Sequence, residues 1–417
     1  MAGLNGDRTF LRFWAASCIS LAGTLVTAVV LPILTYQITG SAWQTALLAA
    51  IETTPYLAFG LIAGAVADRM NRRRLMWRCE LVSAALLGSI PAAYAAGVLT
   101  IPQIYVVAAG VATVFVWFDA ASFGALPAII DRDRIASAYA RLSGAGSVMQ
   151  MAAPAVGGLL ASTIGPAPAV AVDSVSCLVS AALLMSIRRS FSTADEASGE
   201  SPTRLLGQVA EGLRFLWRQP VVRALTLLGF GNSVTLGAVI GLLVVDANRQ
   251  LGLARTSAVI GLLYAAGAAG GFAASVLMPR LMRRFQPLHV AVTSLIVQVV
   301  LVAAFALTTS PVGALAGYLG LNAASTILVL NGIIYRQKVT PNRLQGRVNV
   351  VARMIAWGGQ PAGAILGGAV ADAVSVRVAL LVGGAGVSVS LVFGVVILLR
   401  SRVRSRSAPA PTVAASS

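Results

Sequence analysis

GAVADRMNRRRLMWRC, residues 64–79, is the stretch that decides the fold. It sets an aspartate and a run of arginines between two apolar stretches, 43 to 67 and 75 to 97. Each of those is long enough to cross the hydrocarbon of a bilayer, which takes about twenty mostly apolar residues. A charged side chain at the centre of a span costs roughly 2.5 to 3.5 kcal/mol. Such a density of charge therefore marks an interfacial turn between two spanning helices.

Working outward, the same alternation covers the whole chain. Of the 417 residues 57% are hydrophobic and 11% charged, and the mean hydropathy is +0.83. These values exclude an ordinary soluble domain. The runs are helix-length and lack the short alternating pattern of a barrel, so helices must satisfy their own backbone polar groups. Twelve runs are read: 11 to 35, 43 to 67, 75 to 97, 102 to 126, 137 to 164, 167 to 187, 222 to 246, 256 to 279, 288 to 308, 311 to 335, 346 to 371 and 376 to 400.

The longest hydrophilic interval divides them into six and six. The expected organisation is an N-terminal six-helix bundle (1–187), a central loop (188–220), a C-terminal six-helix bundle (221–400) and a disordered basic tail (401–417). Within the central loop STADEASGESPTR reads as flexible, and LLGQVAEGLRFLWRQP as an amphipathic surface helix.

Charge placement sets the orientation. Of 31 basic residues, only Arg249, Arg255 and Arg377 fall in loops after odd-numbered spans. By the positive-inside rule both termini are cytoplasmic. The net charge of +17 would point to nucleic acid in a soluble chain, but here it lines one membrane face, with the tail beside anionic lipid. No cleavable signal is expected, because the first run already has span length.

Cys18, Cys79 and Cys177 lie in or beside apolar runs and read as packing residues, and His289 is the only histidine. No disulfide set, metal site or histidine-based catalytic centre is expected.

The halves also look related. GAVADRMNRRRL between spans 2 and 3 has a weaker counterpart, SVLMPRLMRRFQPL, between spans 8 and 9. DRDRIASAYARLSGAGSVMQMAAPAVGGLLA, from Asp131, parallels TPNRLQGRVNVVARMIAWGGQPAGAILGGAVA, from Thr340. A duplicated six-span unit is the pattern of a secondary transporter with its site between the halves.

With these features the chain resembles the major facilitator superfamily over essentially its whole length. The loop motif matches at Gly64, Asp68, Arg69, Arg72 and Arg73, with Asn71 where the family has a turn glycine. Asn71 is expected to adopt the left-handed turn that glycine would. The resemblance implies that Asp68 helps latch the halves at the cytoplasmic face. It also brings the antiporter motif of helix 5 into view, here Ala153-Pro154-Ala155-Val156-Gly157-Gly158. Pro154, Gly157 and Gly158 suit a close, rocking helix contact. LTYQITGSAWQTALLAAIETTPYLAFGLIAGAVADRMNRRRLM resembles the bacterial multidrug and siderophore exporters in particular. Many of those carry an acid in the middle of helix 1, where this chain has Gly23-Thr24.

Acids inside spans usually face a cavity or a partner. Glu52 in helix 2 sits near the midplane, as a proton-coupling or substrate-binding carboxylate or as an interhelical hydrogen-bonding group. Asp119 in helix 4 is a second candidate, with pairing to Arg141 as the alternative. Asp173 in helix 6 is a third, with capping or pairing near the outer surface as the alternative. Glu80, close to Arg78, is assigned to the cytoplasmic ion-pair network. Uncharged pathway candidates are Gln150, Asn232, Asn322, Trp357 and Gln360, with Tyr36, Tyr56, Gln298 and Asn331 behind them.

The expected function is export of amphiphilic small molecules, a drug or a secondary metabolite such as a siderophore. Alternating access and proton entry would drive it, without a cofactor, in a monomer of the bacterial inner membrane. Uptake of a small metabolite is the alternative within transport. An enzyme or receptor is disfavoured, because no nucleophile-base set or Walker-type loop is present.

Overall fold

The computed structural model describes residues 7–67, 70–131, 134–188, 191, 202–341 and 344–406, and among them every regular element is helical. The elements are α1 (Arg8–Thr39), α2 (Ala42–Ala67), α3 (Arg72–Ala95), α4 (Ile101–Ile129), α5 (Ile135–Thr163), α6 (Pro166–Ser186), α7 (Pro202–Arg218), α8 (Pro220–Arg249), α9 (Ala258–Arg284), α10 (Pro287–Leu307), α11 (Pro311–Val339), α12 (Gln345–Trp357), α13 (Gly359–Ala373), α14 (Val376–Gly383) and α15 (Ala385–Arg406). Proline opens α4, α6, α8, α10 and α11 within their first two positions. Its missing N–H is no loss there and its fixed φ suits the first turn. Asp7 caps α1, accepting from Thr9 N at 3.0 Å and Phe10 N at 3.1 Å.

Eight stretches of described helix are long and apolar enough to cross a membrane: α1, α4, α6, α8, α9, α10, α11 and the run Val376–Leu399 through α14 and α15. The other predicted spans coincide with α2, α3, α5 and α12–α13. Two spans expected to be continuous are interrupted, at Gly358 and at Gly384, where glycine weakens the helix. α7 forms where the amphipathic segment was expected and packs on α12 and α8. Leu216 is buried there, and Glu211 pairs with Arg347.

The packing repeats between the halves. In α1–α6, α1 packs on α5 and α6, α2 on α4, and α3 on α4 and α6. In α8–α15, α8 packs on α12, α13, α14 and α15, α9 on α11, and α10 on α11 and α15. Exchanging α1 for α8, α2 for α9, and onward maps one set onto the other. The seams obey the same exchange, since α2 meets α13 as α9 meets α5.

These seams hold the end of the bundle away from the chain termini closed. Asp372, in the last turn of α13, accepts from Ser41 Oγ at 2.7 Å, Ala42 N at 3.0 Å and Trp43 N at 2.9 Å. A carboxylate of one half thus caps a helix of the other and meets its positive dipole end. Arg249 donates to the same carboxylate at 2.9 Å and to Gly40 O at 2.8 Å. Tyr36 donates to Asn248 Oδ1 at 3.1 Å, with the Arg255 guanidinium 5.3 Å from the Tyr36 ring centroid.

Small residues bring the backbones together below this layer. A Cβ added at Gly158 of α5 would lie 2.7 Å from Gly261 Cα and N of α9, and one at Gly157 would lie 3.1 Å from Val26 O of α1. The helix 5 motif therefore packs α5 against both α1 and the opposite half.

Two outcomes are expected. Gly158→Val should destabilise the protein by ~1–3 kcal/mol through overpacking, read as a lower apparent Tm in detergent. Asp372→Asn should raise severalfold the labelling of Ala46→Cys by a membrane-impermeant maleimide, in a background lacking the native cysteines. Ala46 is fully buried on α2 beside Gly368 of α13; unchanged labelling would deny Asp372 its role in the seal.

Candidate functional site: a central cavity with two carboxylates

A cavity of about 270 Å³ lies on the terminal side of the seal. Its apolar wall comes from Ala28 and Leu31 of α1 and Ala108, Val111 and Phe115 of α4. Into it face Glu52, Thr53 and Tyr56 of α2, Thr24 and Thr27 of α1, Asp173 of α6, and Trp357 and Gln360 at the α12–α13 break. Glu52 and Tyr56 are four apart and so share one face of α2. An apolar wall with a few convergent polar groups is the usual form of a small-molecule site.

Asp173 is 1% exposed. It accepts from Thr27 Oγ1 at 2.6 Å and Ser176 Oγ at 3.1 Å, with Cys177 Sγ at 3.7 Å. Its place is thus deep in the bundle, in a hydroxyl shell, rather than in a cap or ion pair near the outer surface. Gly23 makes the room: a Cβ there would collide with Ser176 Oγ and Asp173 Oδ1. The carboxylate of α6 occupies the space a side chain of helix 1 would fill.

A smaller polar chamber adjoins the cavity, sharing Thr24, Val111, Phe115 and Asp173 with it. Glu80 lines this chamber, 3% exposed, and accepts from Ser180 Oγ at 2.8 Å. The assignment of Glu80 to a cytoplasmic ion-pair network is therefore corrected. Positions two apart on a helix point about 200° away from each other, so proximity in sequence to Arg78 says nothing about pairing.

Other candidates lie elsewhere. Asp119 is exposed on α4 and Gln150 on α5, and neither lines the cavity. Asn322 donates to Tyr318 O of its own helix at 2.9 Å, and Asn331 ties α11 to Pro287 O of α10 at 2.8 Å. Asn232 and Gln298 are each 1% exposed, with no hydrogen-bond partner for either side chain among the described residues. Tyr36 belongs to the seal.

In the loop motif, Asp68 and Arg69 lie outside the described residues. Gly64 is in the last turn of α2. Arg72 donates to Gly124 O of α4 at 3.2 Å and Arg73 to Ile187 O at the end of α6, tying α3 to its own half. Asn71 departs from expectation. Its φ of −64° and ψ of 103° are extended, and its side chain caps α3 by accepting from Arg74 N at 3.0 Å. Asparagine is among the best N-caps, so its value here is in the side chain.

Sequence reading missed Thr24, Thr27 and Thr53, because hydroxyls inside apolar runs leave no charge signal. It also missed Asp246, fully buried on α8 with neither carboxylate oxygen hydrogen-bonded among the described residues. The run was read as ending there, whereas α8 continues to Arg249. Arg249 and Arg255 had a visible signal, since they are two of only three basic residues on their side of the membrane.

A twofold set of helices around an apolar, acid-bearing central cavity defines a major facilitator transporter. The chain belongs to the transmembrane secretion effector family, whose profile matches residues 3–415. It is 28% identical over 373 residues to the multidrug efflux pump Tap of Mycolicibacterium fortuitum, covering 86% of this chain and 88% of that protein. Its fold is shared with a bacterial homologue of the human lysosomal transporter Spinster, at a TM-score of 0.78 and 16% identity over 98% of this chain and 100% of that one. It is shared likewise with the nucleoside transporter NupG in its D323A form, at 0.77 and 13% over 93% and 99%. The chain is thus a multi-pass membrane protein of a transporter family.

Thr27→Val should leave a buried oxygen of Asp173 short of a donor and destabilise the protein by ~1–3 kcal/mol. Thr27→Ser, which keeps the donor, should change the apparent Tm in detergent by much less.

Proposed function

We propose that this protein is a proton-driven secondary exporter of amphiphilic small molecules, a drug or a secondary metabolite such as a siderophore. It would act as a monomer in the inner membrane of a bacterium. The observation that carries this reading is the central cavity, apolar in its walls and bearing Glu52 and Asp173, set directly beneath a closed seal. The relative named a multidrug efflux pump supports it.

The distribution of arginine and lysine favours cytoplasmic termini. The seal of Asp372 and Arg249 then faces outward, and the cavity takes its ligand from the cytoplasmic side. Residues 1–187 and 221–400 rock about the α5–α9 and α2–α13 seams, joined by the cytoplasmic segment 188–220. The basic tail, 401–417, lies against lipid headgroups. Asp68, with Gly64, Arg69, Arg72 and Arg73, latches the cytoplasmic face when the cavity turns outward. Glu52 is the first choice for a carboxylate that binds a proton and substrate in turn, with Asp173 and then Asp119 behind it. If one carboxylate serves both ligands, proton arrival releases substrate and coupling follows from competition at that carboxylate.

Cells expressing the protein, loaded with a panel of lipophilic dyes, antibiotics and siderophores, are expected to extrude at least one of them. A protonophore should abolish that efflux, and Glu52→Gln should reduce it about a hundredfold or more at normal membrane levels, within the usual range for losing a proton-transfer group. Energy-dependent accumulation would instead mark an uptake transporter.

A further inference from the structure

Glu52 and Tyr56 on α2 face the cavity four residues apart, and on α12 Arg353 and Trp357 repeat that spacing. The Tyr56 and Trp357 rings, from opposite halves, have centroids 5.6 Å apart at an interplanar angle of 45°. The guanidinium carbon of Arg353 lies 4.4 Å from the Tyr56 centroid and 5.3 Å from that of Trp357. Both rings line the cavity, and Trp357 is 41% exposed, so an aromatic face is open to a ligand.

Arg353 forms no ion pair with a carboxylate among the described residues. A guanidinium is normally held by bidentate carboxylate contacts, which fix it far more firmly than ring faces do. Here, among the described residues, an exposed guanidinium rests on two aromatic rings. The cavity beyond those rings has the opposite character: among the described residues its ionisable wall groups are Glu52, Asp173 and Tyr56, with no arginine, lysine or histidine. Its field therefore favours a positive ligand, and the one cation at its edge is tethered where such a ligand would first meet the rings.

We propose that Tyr56 and Trp357 form a binding subsite for the cationic group of a lipophilic organic cation, and that Arg353 is a built-in competitor for it. The ligand class is an aryl-substituted quaternary ammonium or phosphonium ion. Its charge displaces Arg353 from the rings and then lies one helical turn from Glu52. The tethered guanidinium thereby sets a threshold: a ligand must outcompete it to enter, which a neutral amphiphile of the same shape does not do by charge. This inference rests on the reading of the cavity as the transport pathway, but not on its coupling to protons.

The test is equilibrium dialysis of the purified full-length protein in detergent, with no gradient, against radiolabelled tetraphenylphosphonium and neutral triphenylphosphine oxide. Removing the competitor in Arg353→Gln should lower the Kd for the phosphonium about two- to fivefold, the range of a cation–π contact at an exposed site such as that of Arg353. The Kd for the neutral compound should stay unchanged. Arg353→Lys, whose ammonium is more strongly hydrated and stacks less well, should fall between wild type and Arg353→Gln; it keeps the test decisive should Arg353→Gln fold poorly. Tyr56→Leu should weaken the phosphonium selectively. Unchanged or weaker phosphonium binding in Arg353→Gln would overturn the proposal and make Arg353 a structural strut. So would equal tightening for both compounds, or no phosphonium binding by any form at millimolar concentration. Efflux that proved independent of protons would overturn the coupling and leave these affinities as they are.

Discussion

A carboxylate carried into hydrocarbon has to be met by donors or by a cation, and this constraint shapes the protein more than any other. The chain has 14 acidic residues; inside its helices Asp246 has no hydrogen-bond partner among the described residues, and the others answer the constraint in different ways. Asp372 is met by the N-terminus of α2 and by Arg249, at the end of a seam between halves that lies away from the chain termini. Asp173 and Glu80 are met by hydroxyls and a thiol within one half. Glu52 is left facing a cavity. The first arrangement joins the two halves, the second fixes the walls of the chamber, and the third places a carboxyl group on the cavity wall.

The seal depends on reciprocity between the halves. α2 presents its N-terminal N–H groups to a carboxylate of α13, while α5 presents glycine to glycine on α9. At the α5–α9 seam, close backbone approach supplies dispersion without a deep side-chain interlock. The polar cap at Asp372 behaves differently. It is directional, and opening it exposes two amide groups, a hydroxyl and a guanidinium at once. A close backbone contact below and a directional cap above together hold this end closed.

Much of the fold was legible from the chain alone. Apolar runs bounded by charge marked the positions of the spans, and the motif at 64–79 with the 153–158 segment identified the superfamily. Where reading by residue type failed, helix phase was the reason. Glu80 and Arg78 are near in sequence but point apart, so an ion pair was assigned where a buried, hydroxyl-bound carboxylate exists. Asn71 was matched to glycine by backbone habit, whereas its side chain is what the turn uses, as the cap of α3. Glu52, Asp173, Trp357 and Gln360, selected from depth and chemistry, line one cavity. Depth alone also selected Gln150 and Asn322, which face elsewhere.

The sequence by itself determined that this is a helical membrane transporter built as a repeat, and which side carries its basic charge. Those properties follow from local composition, because lipid admits few backbone solutions and charge is excluded wherever it occurs. Only the tertiary structure decided which acids share a cavity, that Gly23 makes room for Asp173, that Asp372 closes one end, and that Arg353 rests on Tyr56 and Trp357. Each of these joins residues tens to hundreds of positions apart. Their meeting is set by the rotation of each helix about its axis and by the register of one half against the other, and neither is written in any single span.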